Sequence, residues 1–156
     1  MKLILFSCIA FCIVFGSFAF AQDVAMKKAI KSADEKVAEA VAEMKSKCGN
    51  KAVKASVDYA AVQKMTKFAK EDGRTMENMV ETAGFVANDY VSRLAMLCGD
   101  GDYKSEIGKV TEIKFLPDEA VPKASITKSG TVITIKARPT NAADSFGTED
   151  AYKKLF

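Results

Sequence analysis

Apolar side chains recur at steps of three and four along residues 76–98, the spacing that puts side chains on one face of an α-helix. Further apolar residues widen this face into a broad arc, so other elements have to cover most of the helix. We therefore predict that 76–98 is the central helix of the domain and that Thr75 caps its N-terminus. The core-facing positions are Met79, Ala83, Val86, Tyr90, Leu94 and Leu97.

A second helix is predicted over 24–47, a segment rich in alanine, lysine and glutamate, which favour helix. Its apolar residues form a narrow stripe at near-heptad spacing. The stripe either packs on the domain's own core or receives a partner helix, and three heptads do not decide between these interpretations. We select its larger side chains as a candidate partner surface: Met26, Ile30, Val37, Val41 and Met44.

Alternation of apolar and polar residues predicts four β-strands, and shorter helical patterns separate or follow them. The predicted strands are 52–59, 110–116, 123–128 and 131–138, and the short helices are 60–72, 103–109 and a last one after Thr148. We expect an α+β domain with a small antiparallel or mixed four-stranded sheet and helices packed on one face.

The dipeptide Ser-Gly at 129–130 predicts a two-residue β-hairpin between the last two strands. In that register Ile126 faces Ile133, and Lys123 lies opposite Lys136. Two like charges at such a position favour an anionic group on a partner or open solvent. Lys123 and Lys136 therefore complete the candidate partner surface.

The first 21 residues have the layout of a secretory signal peptide: a lysine, a long apolar run and an Ala-Phe-Ala ending. Cleavage after Ala21 would make Gln22 the mature N-terminus and deliver a periplasmic or secreted protein without a membrane segment. The apolar run nearly spans a bilayer, so an uncleaved anchor is the alternative. The predicted divisions are a signal peptide (1–21), an N-terminal amphipathic helix (22–50) and an α+β domain (51–156).

Two of the four cysteines lie within the predicted signal peptide, which leaves Cys48 and Cys98. An even pair in an oxidising compartment predicts a disulfide. Neither cysteine has a second cysteine nearby in sequence, so the spacing of a zinc site is missing.

The sequence contains no histidine, which excludes Ser–His–Asp and Cys–His catalysis and histidine-ligated metal sites within this chain. The acidic loop from Asp100 lacks EF-hand ligands, because Lys104 and Thr111 occupy two of the required positions. We therefore predict no metal, no cofactor and no enzymatic activity. The net charge is +3, or +2 without Lys2, and so small a value argues against nucleic acid as a partner.

These observations favour an exported, non-catalytic binding or interaction protein whose partner is another envelope or secreted protein. One alternative is a small carboxylate-dependent hydrolase, which would need two carboxylates in one cleft. Another is a structural or self-associating envelope protein that uses the apolar stripe of residues 24–44.

Overall fold

The structure is a computed structural model that describes residues 7–67, 73–139 and 147–156. The helices are α1 (Ser7–Cys48), α2 (Tyr59–Gln63), α3 (Met76–Met96), α4 (Gly101–Ile107) and α5 (Glu149–Lys153), and a 3-10 turn at Leu97–Gly99 follows α3. The strands are β1 (Lys54–Val57), β2 (Glu112–Pro117), β3 (Ser125–Ser129) and β4 (Val132–Ala137).

The four strands form one sheet in the order β1-β2-β4-β3. Strand β2 runs parallel to both β1 and β4, whereas β3 is antiparallel to β4. Within the described chain, β1 and β3 are therefore the two edges of the sheet. Helix α3 belongs to the crossover that two parallel neighbours such as β1 and β2 require. The prediction of a mixed four-stranded sheet is confirmed.

In the ranges that the structure describes, helices cover only one face of the sheet. Ile113, Phe115, Ile133 and Ile135 point into the core and are at most 2% exposed. The alternate positions are mostly polar and reach solvent. This is the pattern of a sheet that is packed on one side only, and the predicted α+β class with helices on one face is confirmed.

Helix α3 is the central helix, as the periodicity predicts. All six predicted core positions are buried. Thr75 is the N-cap, and its side chain accepts a hydrogen bond from the backbone N–H of Asn78 at 3.3 Å. The C-terminal part of α3 packs on the sheet, and its N-terminal part packs on α2 in a second, smaller cluster.

Helix α1 lies against α3, and at Gly84 the two backbones come very close together. A Cβ placed on Gly84 would lie 2.5 Å from the Cβ and 2.6 Å from the Cα of Ala33. Real Cβ atoms do not approach other atoms so closely, so only a glycine fits at this point of α3. The contact between α1 and α3 therefore depends on small residues from both helices.

The predicted disulfide between Cys48 and Cys98 is present, with an S–S distance of 2.06 Å. It joins the last residue of α1 to the turn after α3 across 50 residues of sequence. In the chain-entropy model a loop of that length contributes about 4 kcal/mol to the free energy of unfolding. The disulfide thus holds together the ends of the same two helices that meet at Gly84.

Asn50 organises the turn that follows the disulfide. Its side-chain amide donates to the carbonyl oxygens of Ile107 at 3.0 Å and Val110 at 2.6 Å. Its Oδ1 accepts from the backbone N–H groups of Ala52 and Val53, both at 3.1 Å. Because both the nitrogen and the oxygen of this buried amide are hydrogen-bonded, its burial leaves no unsatisfied polar group. The side chain thereby connects the chain before β1 to the chain before β2.

Helix α5 is attached to α3 by a hydrogen bond and an ion pair. The buried hydroxyl of Tyr152 donates to the carbonyl oxygen of Tyr90 at 2.9 Å. Arg93 lies between the two helices and contacts Asp89 at 3.2 Å and Glu149 at 3.0 Å. The C-terminal segment is therefore part of the packed domain.

The β-hairpin is present, but its register differs from the prediction by two residues. Ile126 pairs with Ile135, and Ser125 lies opposite Lys136. Because the shift is an even number of residues, every side chain keeps its predicted face. The predicted pairs that are wrong are Ile126 with Ile133 and Lys123 with Lys136.

The glycine of the turn explains this register. The loop consists of Gly130 and Thr131, since Ser129 pairs with Val132. Gly130 has a φ of +57°, whereas no described non-glycine residue has a positive φ. A type II′ turn needs glycine at its first loop position only. The predicted loop, Ser129 and Gly130, placed the glycine second. A type I′ turn with that loop would also require a positive φ at Ser129.

Several predicted elements have different ends in the structure. Strand β1 is shorter than 52–59, because Asn50 binds the N–H of Val53 at one end and Asp58 caps α2 at the other. Helix α1 begins at Ser7 rather than at residue 24. Part of the predicted helix 60–72 is seen as α2, and residues 68–72 lie outside the described ranges.

We expect Gly84→Ala to lower the free energy of unfolding by about 1–3 kcal/mol, because the new methyl group overlaps the backbone of α1. Urea unfolding of the oxidised protein measures the change. Gly101→Ala is the matched control: its new Cβ meets nothing within 4 Å, and alanine suits a helix, so its stability should be equal or slightly higher. Equal unfolding midpoints for the two variants would contradict the close packing at Gly84.

Candidate functional site

An open groove of about 520 Å³ lies between α1 and the edge strand β1. Its lining is mostly apolar and includes a few charged side chains. The apolar lining includes Ala38, Val41, Ala42 and Ala55, and the charged residues are Asp34, Lys45 and Lys54. A concave, mostly apolar surface with a few polar groups is typical of binding sites.

The groove exists because α1 carries small side chains on this side. Ala38 and Ala42 are one helical turn apart and exposed, and Val41 between them is half-buried. Ala55 is the half-buried residue of β1 that lines the other wall. Alanine methyl groups are too short to fill the space between a helix and the edge of a sheet, so the two walls stay apart.

Strand β1 presents free backbone groups beside this groove. Lys54 and Asp58 donate their N–H groups to carbonyl oxygens on the β2 side. The intervening residues Ala55 and Val57 therefore direct their N–H and C=O groups outward. In the described chain no strand lies beyond β1. Such an edge can accept a further strand through main-chain hydrogen bonds.

A hydrogen bond between α1 and α2 marks one end of the groove. The hydroxyl of Tyr59 donates to Oδ1 of Asp34 at 2.8 Å. Burial of the ring raises the pKa of Tyr59 well above its ordinary value of 10.0, and the hydrogen bond and charge of Asp34 raise it further. Lys45 lies about 16 Å farther along the helix axis, so α1 carries opposite charges at the two ends of the groove.

The candidate partner residues of α1 have three different locations. Val37 and Val41 line the groove, although Val37 is only 5% exposed. Met44 is 0% exposed in the main core and presents no surface to a partner. Met26 and Ile30 are half-buried against the second cluster, which contains α2 residues. The groove therefore brings together two of the five selected side chains.

The two candidate lysines lie apart. Lys136 is on the open face of the sheet, where its ammonium group contacts Asp118 at 2.8 Å. This hydrogen-bonded ion pair lowers the pKa of the Asp118 carboxyl group. Lys123 lines a separate cleft of about 470 Å³ between β3 and α5, together with Asp150 and Lys154. The two lysines do not form one surface.

Asp58, Asp89 and Asp100 each have a separate structural contact. Asp100 caps α4 by accepting the N–H of Asp102 at 3.1 Å. Asp58 caps α2 by accepting the N–H of Ala61 at 2.9 Å, and Asp89 pairs with Arg93. In the part of the chain that the structure describes, no group of three histidine, cysteine, aspartate or glutamate residues could hold a metal ion.

Sequence reasoning did not find this groove. Its clearest signal is the pair Ala38 and Ala42, which flank Val41 just outside the apolar stripe. The stripe shows which side of α1 is apolar. It does not show that the neighbouring side faces a strand edge.

The chain matches no family model, no curated protein and no solved structure. Among the described residues, no helix has both the length and the apolar character needed to cross a membrane.

We expect the protein to lose stability as the pH rises above 10, and Tyr59→Phe to lose less of it. Tyr59 keeps its proton in the folded chain at pH values where it ionises in the unfolded chain, near 10.0. The folded state then holds more protons, so stability that is fully present below pH 10 declines above it. Buried Tyr152, whose pKa burial also raises, leaves a residual decline in the variant.

Urea unfolding at about pH 8 and about pH 11 measures this difference. Tyr103→Phe is the control, because it removes a phenol on α4, outside the groove. An alkaline loss of stability in Tyr59→Phe equal to that of the wild type would contradict the raised pKa of Tyr59.

Proposed function

We propose that this chain is an exported, non-catalytic protein-binding module that takes its partner in the groove between α1 and β1. One observation carries the proposal: an apolar groove lies beside the free edge of a strand. In strand addition, main-chain hydrogen bonds supply affinity, and adjoining pockets select alternate side chains. The groove and the edge provide both components in one place.

Two features support export. The layout of residues 1–21 is that of a signal peptide, and disulfides such as Cys48–Cys98 form and persist in oxidising compartments. Cleavage after Ala21 would shorten α1 without touching its described core residues, which begin at Ala29. The groove would therefore remain intact in the mature protein.

The absence of histidine supports a non-catalytic role, because the remaining candidates for acid–base chemistry are carboxylates, lysines and tyrosines. Among the described carboxylates, Asp58 serves as a helix cap and Asp89 as an ion-pair partner. Binding by shape and main-chain hydrogen bonds needs none of these groups to change protonation.

We expect protein recovered from the export compartment to begin at Gln22 and to weigh two hydrogens less than the reduced chain. Intact-mass spectrometry under denaturing conditions measures both quantities. Reduction and alkylation should then add two alkyl groups, one on each cysteine of the pair. A mass that retains Met1 would contradict export with cleavage, and alkylation without prior reduction would contradict the disulfide.

We expect Ala42→Arg to weaken partner binding by about tenfold or more, because it places a long charged side chain in the apolar groove. A photoreactive side chain at position 38, in cells that export the protein, should give a discrete adduct that Ala42→Arg abolishes. Ala25→Arg is the matched control, since Ala25 is also an exposed alanine of α1 but lies outside the groove. An adduct that survives Ala42→Arg, or no adduct at all, would contradict binding in the groove.

A further inference from the structure

We infer that the partner in this groove is a second copy of the same chain, joined antiparallel through β1 about a two-fold axis at Ser56. The inference rests on the proposed function, since it names the occupant of the same groove. The two four-stranded sheets would continue into one another across the joined edges. Three features of the described residues lead to this arrangement.

The first feature is the backbone of β1. Ala55 and Val57 direct their N–H and C=O groups outward, so an antiparallel partner must place outward-facing residues opposite them. Pairing Ser56 with Ser56 of the second copy does so, because Ala55 then meets Val57 in both directions. This register satisfies the outward donors and acceptors of both copies.

The second feature is charge. In the same register Lys54 lies opposite Asp58 of the second copy, and the two-fold axis generates this pair twice. Both side chains are exposed. The neighbour of Lys54 within its own sheet is Glu112, which already contacts Lys114 at 3.4 Å. Opposite charges directly across an antiparallel pair are stabilising, whereas like charges are destabilising.

The third feature is the distribution of charge along α1. Asp34 and Lys45 stand at opposite ends of the groove, with small apolar residues between them. A two-fold axis reverses the direction of the second α1, so its Lys45 comes to the Asp34 end. Alanines at the centre permit a close approach of the two helices. The groove and the strand are thus complementary to a second copy under the same two-fold symmetry.

The other edge strand, β3, is not complementary to a second copy of itself. Turning β3 about Thr127 in the same way sets Ile126 opposite Lys128, an apolar side chain against a charge. Pro122 precedes this strand, and prolines and lysines are the residues with which proteins protect edges from pairing. Lys54 alone would protect β1 as well, but Asp58 neutralises it when the partner is an identical strand.

The first test is a cross-link at the two-fold axis. Ser56→Cys places two thiols at directly opposite positions whose side chains lie close together, as in a non-hydrogen-bonded antiparallel pair. Oxidation should convert most of the full-length exported protein into a disulfide-linked dimer, with the cross-link between two copies of peptide 55–64 and Cys48–Cys98 intact. Thr127→Cys, at the equivalent place on β3, is the control and should stay monomeric.

The second test is charge reversal. Lys54→Glu turns both attractive pairs into repulsive ones, so the dissociation constant of the dimer should rise about tenfold or more in sedimentation experiments. Lys104→Glu makes the same charge change at an exposed position of α4, away from β1, and should leave the dimer unchanged. Adding Asp58→Lys to Lys54→Glu should restore dimerisation. Because Asp58 also caps α2, the Ser56→Cys cross-link gives a readout that does not depend on this double variant.

The outcomes separate the two proposals. A dimer that Lys54→Glu dissociates and Ser56→Cys traps supports self-association through β1. A wild-type monomer at every accessible concentration, with an adduct at position 38 to a different protein, overturns the second copy as partner and leaves the binding function standing. A dimer that is insensitive to Lys54→Glu and yields no Ser56→Cys cross-link also overturns this interface.

Discussion

The close contact between α1 and α3 is the constraint on which the rest of the structure depends. At Gly84 the helix backbones approach so closely that a single added methyl group has no space. Asn88 donates to the carbonyl oxygen of Lys36 at 2.6 Å, and the disulfide from Cys48 holds the far ends together. The sheet packs its one apolar face on this helix pair. The position of α1 relative to β1, and so the groove, follows from this packing.

Asn50 connects the packed helices α1 and α3 to the sheet through its hydrogen bonds. The disulfide fixes where α1 ends, and two residues later one buried side chain binds the chain before β1 and the chain before β2. Neighbouring parallel strands have no hairpin to set their register. Here the buried amide of Asn50 sets the register through its several hydrogen bonds. In this register Lys54 lies opposite Glu112, and the backbone N–H and C=O groups of Ala55 face outward at the edge. The edge that we propose as an interface is therefore positioned by interior contacts.

Local patterns predicted what depends on local chemistry. The periodicity around Tyr90 identified the central helix, and the count of cysteines identified the Cys48–Cys98 disulfide. The hairpin register was missed because it depends on whether Gly130 occupies the first or the second loop position, and each position suits a different turn type. The groove was missed because it arises between elements distant in sequence. Periodicity selected Met44 as a candidate surface but did not show that this side of α1 turns inward.

An edge strand needs protection from unwanted pairing and, where pairing is its role, a means of choosing its partner. A lone lysine on β1 would repel or fail to pair with most other strands. When two copies of the segment Lys-Ala-Ser-Val-Asp pair antiparallel about Ser56, residue 54 of each copy lies opposite residue 58 of the other. These two residues carry opposite charges, so the segment is complementary to itself. The charges that discourage other strands therefore favour an identical one, and this difference in affinity is what specificity consists of. Selection against foreign strands and selection for a second copy follow from the same two side chains.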